Sequence, residues 1–134
     1  AAAYNKKLDR LSDIDLPVER SYARSSWHIY CIRLKNYKKR KSVFEKLRES
    51  GIGVNVHYIP VYLQPYYQKL GYKKGLCPKA EDFYHKEITI PLYESMSKSD
   101  IDYVVNVIYG MEFQKAKFQP LKIAKRSSPK AIFL

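Results

Sequence analysis

Apolar positions recur at two distinct periods along this chain, and the switches between them divide it into elements. Residues 2–11 carry Tyr4, Leu8 and Leu11 at helical spacing, with Lys6, Lys7, Asp9 and Arg10 on the polar side. That predicts the end of a helix. It starts at Ala1–Ala3 with no capping residue, as a chain cut out of something longer or an ordinary frayed terminus would. Residues 12–26 have the Asp, Ser and Pro content of a connecting loop. Trp27 to Leu34 is rich in aromatic and β-branched residues and largely apolar on both sides, the pattern of a central strand.

A helix is predicted next. Ser42 stands three residues before Glu45 at capping-box spacing, Val43, Phe44 and Leu47 form an apolar stripe, and Gly51 can take the left-handed position past the end. The alternation of Val54, Val56 and Tyr58 predicts a strand over 53–58, stopped by Pro60, which lacks a ladder donor. Gln64, Tyr66 and Tyr67 follow in a tyrosine-rich loop with a short amphipathic turn closed by Gly71. Pro78 can open a short helix burying Ala80, Phe83 and Tyr84. Ile88 to Tyr93 is a compact apolar run whose Pro91 places its far end at an edge or outside the sheet. Ser97, with Asp100 three residues on, caps a last helix in which Ile101, Val104, Val105 and Ile108 share one face, ended by Gly110. The sum is an α+β layer, a small sheet of about three strands with one face covered by helices.

Composition narrows this further. The chain has 134 residues and is 46% hydrophobic, enough for one domain with a core and too little for two full ones. No stretch nears the roughly 18 to 20 apolar residues that span a bilayer, and the N-terminus lacks an apolar segment after its charges; a cytoplasmic protein is expected. Cys31 and Cys77 stand in unrelated contexts, which favours reduced thiols. The net charge of +12 is unevenly spread, half of it lying in residues 114–134, which hold basic residues and no acidic ones. Residues 113–134 are therefore set apart from 1–112 as a basic tail, expected to be poorly ordered or to dock elsewhere. The other concentration, Lys35 to Lys41, fits a solvated turn better than a phosphate-binding patch.

Candidate chemistry centres on the end of the predicted strand 53–58, because loops that leave a strand's end commonly carry binding residues. His57 lies there as either a general base or a hydrogen-bonded structural residue. His28 and Cys31 form an HxxC pair without the second pair that zinc needs, so no metal is assigned. The five glycines build neither a GxGxxG nor a P-loop. Thirteen tyrosines with clustered lysines leave open a module that binds RNA or single-stranded DNA by stacking and charge.

One ordered series says more. The passages Ser25 to Leu34, Arg48 to Tyr67 and Gly75 to Ile108 resemble the C-terminal small domain of the DegT/DnrJ/EryC1/StrS family of nucleotide-sugar aminotransferases. The most specific part is the succession GI, HY, P, Q, PYY and LGY between Gly51 and Tyr72, followed by CPKAE and by Ile90–Pro91. Within the family the likeness is to enzymes of pseudaminic acid synthesis, which aminate a UDP-linked 4-keto-6-deoxy-N-acetyl sugar. The resemblance covers residues 1–110 and implies a pyridoxal 5'-phosphate (PLP) transaminase acting as a homodimer, with glutamate as amino donor. It also implies that the Schiff-base lysine and the cofactor pocket belong to a large domain that this chain does not carry. The chain alone is then expected to be inactive, with no catalytic residue of its own. His57, Tyr58, Ile59 and Pro60 become the small-domain wall that meets the UDP-sugar. Relatives often carry a second histidine where this chain has Tyr62. An orphaned domain without activity is the remaining alternative.

Overall fold

In the computed structural model, which describes residues 1–111, the chain folds around a three-stranded antiparallel sheet in the order β1-β2-β3. The elements are α1 (Ala2–Leu8), β1 (Ile14–Asp15), β2 (Tyr30–Leu34), α2 (Arg40–Glu49), α3 (Pro65–Lys69), α4 (Pro78–Lys86), β3 (Glu87–Ile90) and α5 (Lys98–Gly110). The basic tail set apart by its charge lies outside the described residues.

The α+β class and the central place of the WHIYCIRL segment hold. Its strand is confined to Tyr30–Leu34, paired on one side with β1 and on the other with β3. Alternation along β2 puts Tyr30, Ile32 and Leu34 in the core and leaves Cys31 and Arg33 half-buried. The register Tyr30↔Ile90, Cys31↔Thr89, Ile32↔Ile88 and Arg33↔Glu87 carries the same division into β3. One sheet face is therefore aliphatic. The other carries the polar set Cys31, Arg33, Glu87 and Thr89.

The aliphatic face packs against Tyr4 and Leu8 of α1, Val43 and Leu47 of α2, and Val104, Val105 and Ile108 of α5, in one buried cluster. Tyr4 and Tyr30 meet with ring centroids 5.0 Å apart. Burying a phenol requires a partner for its hydroxyl. Tyr4 Oη donates to the Pro91 carbonyl at 3.0 Å and Tyr30 Oη to Asn5 Oδ1 at 2.5 Å, while burial raises the pKa of both phenols.

The capping box of α5 forms as its spacing predicts: Asp100 N–H donates to Ser97 Oγ and Ser97 N–H to the Asp100 carboxylate. Helix α2 departs from its prediction at the start. Its first residue is Arg40, and Ser42, expected as the cap, instead donates its hydroxyl to the Lys39 carbonyl. A 3₁₀ turn over Tyr37–Lys39, capped by Asn36 Oδ1 accepting from Lys38 N–H, winds the lysine run into the helix start. The C-terminus of α2 behaves as expected. Gly51 sits at φ +74°, the Ile52 N–H donates to the Leu47 carbonyl and the Gly51 N–H to that of Arg48. Together these bonds make a Schellman closure.

Three further expectations are corrected. The 12–26 segment is not loop throughout, since Ile14 and Asp15 pair with Leu34 and Arg33. In α4 it is Glu81 that turns inward, while Ala80 and Phe83 are exposed and Tyr84 half-buried. The predicted strand 53–58 reduces to one isolated bridge, Asn55 with Thr89. The cause is local competition for donors. Asn55 Oδ1 takes the Val56 N–H at 2.8 Å, and the His57 N–H goes to the Glu87 carboxylate rather than to a strand carbonyl. The ladder stops because side chains have replaced its acceptors.

Candidate functional site

The Schellman turn after α2 sends the chain back along the outer edge of β3. Ile52 and Val54 bury toward the core, and Asn55 pairs both backbone groups with Thr89, at 3.2 and 2.8 Å. His57 then lies over the polar sheet face. Its ring Nδ1 is 2.9 Å from Thr89 Oγ1, and its Nε2 is 3.3 Å from Asn55 Nδ2. Thr89 Oγ1 donates to Glu87 Oε2 at 3.2 Å and stands 3.2 Å from Cys31 Sγ. Five side chains from three chain segments thus form one network: Cys31, Asn55, His57, Glu87 and Thr89.

Glu87 is fully buried at the point where α4 passes directly into β3. Burial pushes its carboxyl pKa above the ordinary value, opposed by the bonds from His57 N–H, Thr89 and Cys31 and by the charge of Arg40. Burial likewise raises the Cys31 thiol.

The predicted site residues are adjacent but unlike in surroundings. The network holds His57. Tyr58 follows it across a cis peptide and is 70% exposed, its ring edge-on to the imidazole with centroids 4.4 Å apart. Ile59 and Pro60 are half-buried and lead into a 3₁₀ turn at Val61–Leu63. These four residues line neither of two clefts seen among the described residues. One cleft, of about 650 Å³, lies between α2 and α4 and is lined by Arg40, Phe44, Arg48, Val56 and Tyr84. The other, of about 360 Å³, is lined by residues between Leu70 and Leu76. His57 to Pro60 form an open edge, one wall of a site.

The tyrosine-rich loop beyond them is tied at its base. Tyr62 Oη donates to Glu81 Oε1 at 2.5 Å and accepts from the Cys77 N–H at 3.2 Å, while the Gly75 N–H donates to the same carboxylate oxygen at 2.6 Å. The Tyr62 hydroxyl beside it holds the Glu81 carboxyl below its usual pKa. Tyr67 packs edge-on with Tyr66 and Tyr72 at 5.4 and 5.9 Å. Tyr62 thus acts as a clasp. Tyr62→Phe is expected to raise proteolytic cleavage within 63–76 several-fold with little change in global stability. Because the Glu81 pKa is lowered on folding, its contribution is present above the unfolded carboxyl value and is lost as pH falls through the folded one. Limited proteolysis of both proteins across that range checks this; equal cleavage rates would remove the clasp.

His57 and its neighbours were singled out from the sequence, whereas Glu87, Thr89, Asn55 and Glu81, which the structure places around them, were not. The available signal was the alternation in Glu87-Ile88-Thr89-Ile90, which puts two polar side chains on the face away from the isoleucines.

The described residues do not suit a PLP site by themselves. A Schiff-base lysine needs a desolvated amine. No described lysine is buried, and the two partly buried ones, Lys7 and Lys86, form ion pairs of 2.7 Å with Asp102 and Asp82.

A sequence profile of the DegT/DnrJ/EryC1/StrS aminotransferase family matches residues 1–109. The chain belongs to that family. Spore coat polysaccharide biosynthesis protein SpsC of Bacillus subtilis is 34% identical over 113 residues, covering 81% of this chain and 29% of the relative. The UDP-4-amino-4,6-dideoxy-N-acetyl-beta-L-altrosamine transaminase of Campylobacter jejuni is 32% identical over 110 residues, with the same two shares. Among solved structures, Helicobacter pylori PseC, an aminotransferase involved in the biosynthesis of pseudaminic acid, superposes with a TM-score of 0.74 at 25% identity, covering 81% of this chain and 29% of PseC. A Streptococcus pneumoniae protein assigned as a sugar aminotransferase and solved in its PLP form gives a TM-score of 0.72 at 31% identity, over 78% and 27% of the two chains. The chain thus spans under a third of the length of the curated relatives it matches. Its sequence and its fold both match part of the length of sugar aminotransferases. Among the described residues no helix is long and apolar enough to cross a membrane.

Proposed function

We propose that these residues are the small-domain part of a PLP-dependent aminotransferase that moves an amino group from glutamate to a UDP-linked 4-keto-6-deoxy sugar. The domain comprises residues 1–112, and His57, Tyr58, Ile59 and Pro60 form the wall that faces the nucleotide sugar. The observation that carries this reading is the His57–Pro60 edge itself: a histidine fixed from behind by Thr89 and Glu87, next to a tyrosine whose ring is mostly exposed. Rigid support behind an exposed polar surface is what substrate positioning requires.

In the complete enzyme PLP supplies the electron sink for amino transfer, and its lysine belongs to a large domain outside this chain. The present residues bind and orient. The Tyr58 hydroxyl and the His57 ring hydrogen-bond the nucleotide sugar, and Ile59 and Pro60 offer it an apolar surface. The enzyme works as a homodimer. The 134-residue chain alone does not transaminate.

Borohydride reduction of this chain with PLP, followed by peptide mapping, is expected to give only scattered, low-level modification of surface lysines. The complete enzyme, assayed with glutamate and a UDP-4-keto sugar, is expected to lose about ten- to a hundredfold in kcat/KM on Tyr58→Ala. Stoichiometric trapping at one lysine of this chain would overturn its dependence on another domain. Unchanged kinetics for Tyr58→Ala would remove the assigned wall.

A further inference from the structure

The network behind His57 constrains which of its ring nitrogens carries the proton. Asn55 Oδ1 accepts from the Val56 N–H at 2.8 Å, so the amide group facing His57 is the Nδ2 donor. The Nε2 it meets at 3.3 Å must then be the unprotonated, accepting nitrogen. From the other side, Thr89 Oγ1 donates to Glu87 Oε2 and can accept from His57 Nδ1–H, with Cys31 Sγ 3.2 Å away. The Asn55 end thus selects the Nδ1–H tautomer, and the Thr89 hydroxyl is placed to accept from it.

What this leaves at the exposed side is a matched pair. Asn55 is exposed and has a second amide N–H beyond the one aimed at the ring, and the 3.3 Å contact is long enough for a ligand atom to displace. A group that both accepts from Asn55 Nδ2–H and donates to His57 Nε2 satisfies both atoms at once. A hydroxyl does this. A phosphate oxygen, which only accepts, would face the Nε2 lone pair.

We infer that Asn55 and His57 form a hydroxyl-binding pair that takes a sugar hydroxyl of the nucleotide sugar rather than its phosphate oxygens, and that Thr89 is the positioning residue that sets the pair's polarity. This rests on the proposal that the His57–Pro60 edge faces a nucleotide sugar. Glu87 acts one step further back, by receiving the Thr89 proton.

The test uses the full chain labelled with 15N at its histidines, with His57 assigned through a His57→Gln variant. At neutral pH its Nδ1 is expected to be pyrrole-type and its Nε2 pyridine-type. Thr89→Val is expected to abolish this preference and Thr89→Ser to keep it, a distinction that mere loss of packing would not make. UDP-N-acetylglucosamine, used as the probe, is expected to shift the Nε2 resonance saturably, and UDP alone to leave it unmoved. Asn55→Ala is expected to weaken the UDP-N-acetylglucosamine response about tenfold, the loss of one hydrogen bond. A protonated Nε2, or equal responses to UDP and to UDP-N-acetylglucosamine, overturns the hydroxyl pair while leaving a nucleotide-binding edge in place. Silence of the His57 resonances toward both ligands overturns the edge and the pair together.

Discussion

Glu87→Ala is expected to destabilise the domain by roughly 3 kcal/mol, since the change orphans two buried donors at once, the His57 N–H and the Thr89 hydroxyl. Glu87→Gln behaves differently. It preserves volume and an acceptor oxygen, removes a buried titration, and is expected to fall within about 1 kcal/mol of the parent protein at acid pH. The pH dependence separates charge from packing. Burial raises the folded-state pKa of Glu87 above its unfolded value near 4.5, so folding favours the protonated carboxyl. Its contribution to stability is full below the unfolded value and declines as pH rises through the folded one. The Gln variant lacks that decline and should gain on the parent protein from pH 4.5 upward. Arg40, His57 and Cys31 face the same carboxyl, and Arg40 opposes the shift, so an Arg40→Gln background should steepen the decline. Urea denaturation of the parent and Gln proteins at several pH values decides the matter; parallel curves would mean that the buried carboxyl does not titrate with folding.

Glu87 also marks the border of what could be read in advance. The helix that ends the described chain was legible because all its signals are local: Ser97 and Asp100 cap it, and Val104, Val105 and Ile108 repeat on one face. The left-handed Gly51 was legible for the same reason. The segment 53–58 misled because its alternation is real while its hydrogen bonding is not strand-like. Val54 does bury, yet the donors of Val56 and His57 are claimed by the side chains of Asn55 and Glu87. The second of those partners lies thirty residues away, beyond any local pattern. The two-residue β1 escaped notice because a strand so short has no periodicity to detect, and it is fixed by pairing with Leu34 and Arg33. Glu81 was hidden by its type. A carboxylate turned inward reads as a polar-face residue until Tyr62 and Gly75 are seen to meet it. Of the site, the order of residues pointed to the His57–Pro60 edge, whereas the support behind it is long-range and became visible only in three dimensions.

A large single-residue effect outside the polar network is expected at Leu47. Leu47→Ala should cost about 3 kcal/mol, in the range for deleting a fully buried leucine that leaves a cavity. The position matters because Leu47 serves twice. Its side chain belongs to the core cluster, and its carbonyl accepts from the Ile52 N–H at 3.0 Å, closing the turn that redirects the chain from α2 toward Asn55 and His57. Ile52, also fully buried, supplies the apolar contact that accompanies such closures. Gly51→Ala probes the same turn without opening the core: a Cβ there meets nothing within 4 Å, and the cost is that of a left-handed residue, about 1 kcal/mol. The two variants should therefore part company in position as well as in size. Leu47→Ala should raise amide exchange throughout the core, because its cavity is shared by α2, α5 and the sheet. Gly51→Ala should raise it chiefly over 52–57, where the chain is held by the turn and by the Asn55–Thr89 bridge. Hydrogen exchange resolved by residue, alongside denaturant unfolding, measures both. If Gly51→Ala left the 52–57 amides as protected as before, the turn would not be what aims His57, and the bridge to Thr89 together with the Glu87 carboxylate would suffice to place it.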